Sequence, residues 1–408
     1  MVCRRFLAVV AVSALAPLAL VACGDGKNEA KAVALADKPS AAAAPAPAVP
    51  APPAALTLTP ANGKKDVPIS AEIGVAVTGG KVASVTLADG DGKSVGGVLR
   101  DDGSSWVPSK PLENKTGYKA TVNAVNATGQ TTTATTRFTT MSKAGREQGS
   151  GLYLFNGQTY GVAMPVVAEF SPGIARANRA DVQKRLFVKT DPPQPGTWSW
   201  TATGTQAYYR APEFWTPGTK LTVRLALDGL PTGGGRYGTT DRTATATIGR
   251  SLIMKVENRT KRMTVIQDGK TVRTMPVSLG KPSTPSSSGT MVVMDKATST
   301  IFDTTDTDGA NGYKMTIEYA QRLTWSGQFI HSAPWSVGAQ GHTNVSHGCV
   351  NLSPSNAQWL FGRTLIGDPV TVSGTSDKLI YGNGWTPWNV SWKEFAKGSA
   401  LPVPADLG

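Results

Sequence analysis

His331-Ser332-Ala333-Pro334-Trp335, Gly341-His342 and Ser346-His347-Gly348-Cys349-Val350-Asn351 share one short window of the chain. All three histidines of the 408 residues fall in it, together with one of only three cysteines. Histidine is the side chain whose ordinary pKa lies nearest neutrality, so it suits a site that moves protons at pH 7. A thiol becomes a strong nucleophile once a base or a local field ionises it. The pairing therefore points to nucleophilic catalysis. Two other readings stay open: a buried cysteine acting as a small hydrophobe, and a zinc or copper site built from His331, His347 and Cys349. The metal reading lacks a fourth ligand and the usual cysteine pair.

The window also resembles a known motif. His331-Ser332, with fourteen residues between His331 and Ser346, then Ser346-His347-Gly348-Cys349-Val350-Asn351, is similar to the signature of the L,D-transpeptidases, which carry a YkuD-type catalytic domain. The likeness extends over 251–396, and the modules before it resemble those of actinobacterial, mycobacterial-type members. It implies a mainly β chain: two Ig-like β-sandwich modules, then a YkuD-type β-sandwich or barrel with a short helix and a C-terminal extension.

The resemblance also implies roles. Cys349 would be the nucleophile and His331 the base, its ring held by the carbonyl of Ser332. Backbone N–H groups around His347, Gly348 and Cys349 would receive the oxyanion. Asn351 would order the pocket, and Met294, Tyr313, Ser326 and Trp335 would line the substrate groove. The implied reaction is attack on a tetrapeptide stem of peptidoglycan, release of D-Ala and a 3→3 cross-link. Water as acceptor would give an L,D-carboxypeptidase, and carbapenems would acylate the same thiol. No metal or organic cofactor is called for. The rival is a non-catalytic wall-binding lipoprotein.

The start of the chain bears on the compartment. Arg4-Arg5 precede an uncharged, mostly apolar run from Phe6 to Ala22, and Leu20-Val21-Ala22-Cys23 resembles a lipobox. A run of that length, interrupted by Pro17, fits a signal peptide better than a spanning helix. The expectation is a signal over 1–22 and lipid on Cys23, which places the rest outside the membrane, facing the wall. An uncleaved anchor is the alternative. Cys3 would then be lost and Cys23 modified, leaving Cys349 as a lone free thiol. The net charge of +13 suits an anionic wall better than nucleic acid, for which no motif appears. A monomer is expected.

Residues 23–55 are polar and then Ala/Pro-rich, an extended tether with no core to bury. In 56–141, Ile73, Val75 and Val77 alternate with other residues in strand fashion, as do Tyr118, Ala120, Val122 and Ala124. Asp89-Gly90-Asp91-Gly92 is a turn cluster, and 137–140 reads as a last strand. In 142–250, Leu221, Val223, Leu225 and Leu227 alternate likewise, and Trp215-Thr216-Pro217 parallels Trp106-Val107-Pro108. These two modules hold no His or Cys and read as spacers or wall contacts. In 251–374, the runs 263–266 and 271–275 around Asp268-Gly269 read as a hairpin. Residues 279–290 read as a flexible loop and 295–312 as a mobile flap. Ser353-Pro354 opens a helix, and 368–372 is a closing strand. Trp385, Trp388 and Trp392 in the extension, 375–408, either dock on a neighbouring module or bind glycan.

Overall fold

The computed structural model describes residues 51–143, 145–303, 305 and 314–407. The signal, Cys23, nearly all of the tether and Tyr313 therefore lie outside the described residues. Among those described, no helix is long and apolar enough to cross a membrane.

The first module is a sandwich of two sheets. One runs Ala55–Thr59, Ile73–Thr78, Ser105–Pro108, Gly97–Leu99, and the other Lys64–Val67, Thr131–Thr140, Gly117–Val125, Lys81–Asp89, Ser94–Val95. Period-two alternation buries Tyr118, Ala120, Val122 and Ala124, and the first three meet Ile73, Leu87 and Trp106 in one core. The second module is also a pair of sheets, one centred on Lys220–Leu225 between Leu186–Asp191 and Arg242–Ile248. Its parallel to the first is looser than the sequence suggests. Trp106 lies on a strand, whereas Trp215 sits in the loop before one, its indole N–H donated to the Met164 carbonyl at 2.6 Å. Glu72 ties the two sandwiches together, accepting from Arg100 at 2.6 Å and Arg185 at 2.5 Å.

The third module again has two sheets. In the first, Leu252–Glu257 pairs antiparallel with Arg262–Gln267 and parallel with Pro369–Ser373, which pairs in turn with Ser287–Val292. The strand expected to close the module is thus central. Asp268 and Gly269, at φ +49° and +79°, make the two-residue turn into Lys270–Pro276. Two consecutive left-handed residues match the twist of a hairpin, and an Asp-Gly pair adopts them readily. The second sheet runs Asp295–Asp303, Lys314–Arg322, Phe329–Ser332, Val350–Leu352.

Two expected loops are partly strand. Residues 287–290 belong to Ser287–Val292, and Asp295–Asp303 pairs with Lys314–Arg322. The Ser and Thr that suggest flexibility are tolerated on a pleated, half-buried surface, where threonine is favoured. Helix Pro354–Phe361 starts as its sequence indicates: Ser353 Oγ accepts the N–H of Asn356 at 3.4 Å, and proline fills the first position. Ala357 and Leu360 turn into the core formed with Leu252, Val265, Ile330 and Val350.

The extension docks on the second sandwich. The Trp388 indole donates to the Ala163 carbonyl at 2.7 Å, and Trp385 is buried against Tyr153. Buried Arg210 places its guanidinium 4.6 Å from the Trp388 ring and 4.5 Å from that of Phe395. Val292, Met294, Trp385 and Phe395 share one continuous apolar core with Val166, Trp200, Leu221 and Leu225 of the second sandwich.

At the junction of the second and third modules, Arg250 forks onto the fully buried carboxylate of Asp368, at 3.0 and 2.9 Å. Removing one partner of such a pair leaves the other charge uncompensated. Asp368→Ala should cost about 3 kcal/mol, read as a lowered guanidinium chloride midpoint; a midpoint equal to wild type contradicts this expectation.

Candidate active site

Strands Phe329–Ser332 and Val350–Leu352 run parallel, with Ile330 opposite Val350 and His331 opposite Asn351. Strand alternation sends Ile330, Val350 and Leu352 into the core. It turns Phe329, His331, Cys349 and Asn351 to the other face, where His331, Cys349 and Asn351 line one cavity. The two halves of the motif, remote in sequence, become diagonal neighbours on one surface.

His331 is only 4% exposed, and its Nδ1 lies 2.8 Å from the Ser332 carbonyl oxygen. A carbonyl can only accept, so Nδ1 carries the proton and Nε2 keeps its lone pair. Phe302 and Trp335 flank the ring, at 5.5 and 6.0 Å between centroids. Burial lowers its pKa below the ordinary value, and the Ser332 carbonyl opposes this only in part. Both the burial and the direction of the shift favour the neutral imidazole.

Cys349 is half-buried and packs beside Phe302, Met315 and Phe329. Its thiol donates to the Gly327 carbonyl at 3.7 Å. Desolvation pushes the thiol up to about 11, against a smaller lowering effect of the Phe329 backbone. The two residues line one cavity, and both shifts work against a preformed ion pair. A neutral thiol and imidazole can work by general-base proton removal as attack begins.

The turn carrying the cysteine is held from within. Ser346 Oγ accepts the Gly348 N–H at 3.2 Å and donates to the Cys349 carbonyl at 2.7 Å. Ser286 Oγ donates to the Gly348 carbonyl at 2.7 Å and accepts the Gly280 N–H at 2.9 Å. Gly348 sits at φ +120°, which disfavours any side chain there. The Gly348 N–H is thus engaged by Ser346 Oγ within the turn.

Two cavities meet at the sulfur. One of 360 Å³ is walled by Met315, Ile317, Trp335, Val345 and Asn351 with His331. The other, of 530 Å³, is bordered by Asp295, Arg322, Trp325, Ser326 and Gly327. Phe302, His347 and Cys349 border both. Trp335 stands exposed at the rim. His347 is exposed, and its Nε2 accepts from the Lys281 ammonium at 3.1 Å. Asn351 is buried, donates to Ser336 Oγ at 3.2 Å, and leaves its Oδ1 without a protein partner.

Met294 departs from its expected place. It lines neither cavity, because at the step between the two sheets it faces the core shared with Trp385. Tyr313 lies outside the described residues. His342 is exposed on its loop. Sequence reasoning misses Phe302, Ser286 and Gly327 as parts of the site. Phe302 had a signal in the strand-forming run Thr298 to Phe302, but Gly327 acts through its carbonyl, which no side chain announces. Among the described residues, no three of His, Cys, Asp and Glu converge as metal ligands do.

The third module is thus two sheets whose parallel strand pair turns a thiol and an imidazole toward one groove. Residues 252–372 match the model of the YkuD L,D-transpeptidase catalytic domain, and residues 64–231 that of a bacterial Ig domain. The chain is 34% identical to L,D-transpeptidase 2 of Mycobacterium tuberculosis, over 97% of its own length and 96% of the relative's. It is equally 34% identical to L,D-transpeptidase 5 of the same species, over 98% and 86%. Among solved structures, an imipenem complex of the L,D-transpeptidase LdtMt1 aligns with 56% of this chain and 99% of its own, at 34% identity and a TM-score of 0.47. The chain belongs to the L,D-transpeptidase family.

A thiol pushed up to about 11 has little thiolate at neutral pH, and its thiolate fraction climbs as pH rises toward that value. In the free protein, iodoacetamide alkylation of Cys349 should keep accelerating beyond about pH 9. A plateau by about pH 8 would mean an ion pair already formed at rest.

Proposed function

We propose that Cys349 carries the acyl group in a peptidoglycan L,D-transpeptidation that makes 3→3 cross-links. His331 Nε2 takes the thiol proton as Sγ attacks the carbonyl of the third stem residue. Collapse of the tetrahedral species breaks the amide, D-Ala leaves with the proton from His331, and a thioester remains. The side-chain amine of a neighbouring stem's diamino acid then attacks the thioester and yields its proton to His331, and the thiol is released. The Ser332 carbonyl holds the imidazolium, which it stabilises by accepting from Nδ1. The Asn351 amide, His347, Ser326 and Trp335 contact the stem.

One observation carries this reading: the parallel strand pair that turns His331 and Cys349 to the same groove, with a cavity on each side of the sulfur for donor and acceptor. The half-exposed thiol also admits water, which would release the stem as a tripeptide, an L,D-carboxypeptidase outcome. Carbapenems, as strained acyl donors, would form the corresponding adduct. The chemistry needs no metal or organic cofactor. The reading extends to the chain's place: lipid on Cys23, a tether to the membrane, and a monomer facing the wall.

Incubation with a carbapenem should add one adduct mass to the wild type and none to Cys349→Ala. His331→Ala should slow adduct formation by about a hundredfold or more. An adduct on Cys349→Ala, or a His331 variant as fast as wild type, would end the proposal.

The lowered pKa of His331 sets a second expectation. The base must be neutral to accept a proton, so acylation is lost only as pH falls through its own pKa. The acid limb of the acylation rate should lie below the ordinary histidine value of about 6.5. A limb at or above that value contradicts the buried, neutral base.

A further inference from the structure

We infer that Asn383, in the C-terminal extension, is a positioning residue for Cys349, acting through the loop 324–328. Its side-chain amide grips Ser326 twice. Oδ1 accepts the Ser326 backbone N–H at 3.0 Å, and Nδ2 donates to Ser326 Oγ at 2.9 Å. The same serine hydroxyl lies 3.1 Å from Thr324 Oγ1, which accepts the Gln328 N–H at 3.0 Å. The turn between is tight, with Gly327 at φ +94°. Its next carbonyl, that of Gly327, receives the Cys349 thiol.

The grip is only as firm as what holds Asn383, and that support is rooted in another module. The Gly384 carbonyl accepts from Tyr208 Oη of the second sandwich at 3.1 Å. The Gly382 N–H is donated to buried Thr386 Oγ1 at 2.8 Å. Trp385 and Trp388 then anchor the segment on Tyr153 and the Ala163 carbonyl. A continuous chain of hydrogen bonds and packed rings thus runs from the second sandwich to the sulfur. A thiol with its proton on one fixed carbonyl has one preferred rotamer; a loose turn lets it wander. Attack on a bulky acyl donor needs the sulfur within a narrow range of position, and a shift of about 1 Å is costly. A small alkylating agent, which approaches from many directions, has no such requirement.

This rests on Cys349 being the acylated group, and the experiment separates the two claims. The full chain and its Asn383→Ala and Asn383→Asp variants are compared for carbapenem acylation and iodoacetamide alkylation, with folding followed by tryptophan fluorescence. Asn383→Ala should lose about tenfold in acylation rate, with alkylation unchanged or faster. Asn383→Asp should recover acylation to within about threefold of wild type, because a carboxylate accepts from both the Ser326 N–H and its hydroxyl. Acylation of Asn383→Ala within about twofold of wild type overturns the inference, as does a parallel fall in both reactions. Should the alanine variant fail to fold, the aspartate variant decides, and a loss of about tenfold there also overturns it. A wild type that forms no adduct sinks the function itself.

Discussion

The parallel pairing of Phe329–Ser332 with Val350–Leu352 is the constraint from which the site follows. Two antiparallel strands could be joined by a tight turn, but parallel neighbours need a longer crossover. Residues 333–349 supply it, and that crossover carries Trp335, His347 and Cys349 around the groove. Because side chains alternate along both strands, register decides everything: a slip of one residue would put His331 into the core and Ile330 into the groove. The core side prevents the slip, since Ile330, Val350 and Leu352 are buried together with helix residues Ala357 and Leu360.

Burial then sets the electrostatics. The thiol and the imidazole both sit where charge is disfavoured, so the thiol is raised and the imidazole lowered, for one shared reason. Each shift opposes a resting ion pair. The Ser332 carbonyl fixes the tautomer without adding charge. A full negative charge there would favour the imidazolium. The neutral dipole orients the ring and leaves Nε2 its lone pair.

How much of this could be read in the sequence depended on whether the information was local. The Asp268-Gly269 turn, the Ser353-Pro354 helix start and the alternation from Tyr118 to Ala124 are local signals, and the structure shows each element there. The His and Cys window stood out because those residues are rare in this chain. The parallel register was not legible, since no short-range pattern records which distant strand lies alongside. Nor was Met294's orientation, which depends on a core supplied by another module. Ser286 looked like part of a flexible run, yet its hydroxyl bridges two backbone turns. Gly327 contributes a carbonyl, a group every residue has.

The same distinction bears on the second sandwich. Without His or Cys it reads as a spacer, and a spacer would meet the catalytic module across a polar, separable face. Instead the apolar core passes through the junction, taking Val292 and Met294 from one side and Val166 and Leu221 from the other. Buried Arg210, whose guanidinium finds carbonyls of Ala211, Pro212 and Val390 and the faces of Trp388 and Phe395, adds a contact that water could not replace. A joint built this way transmits position rather than merely distance. The first sandwich meets the second through both kinds of contact: Glu72 lies between Arg100 and Arg185, Arg224 reaches the Pro108 carbonyl, and Tyr237 packs against the first module's core. The surroundings of the sulfur therefore draw on the second sandwich, the catalytic module and the extension together, through one continuous apolar core.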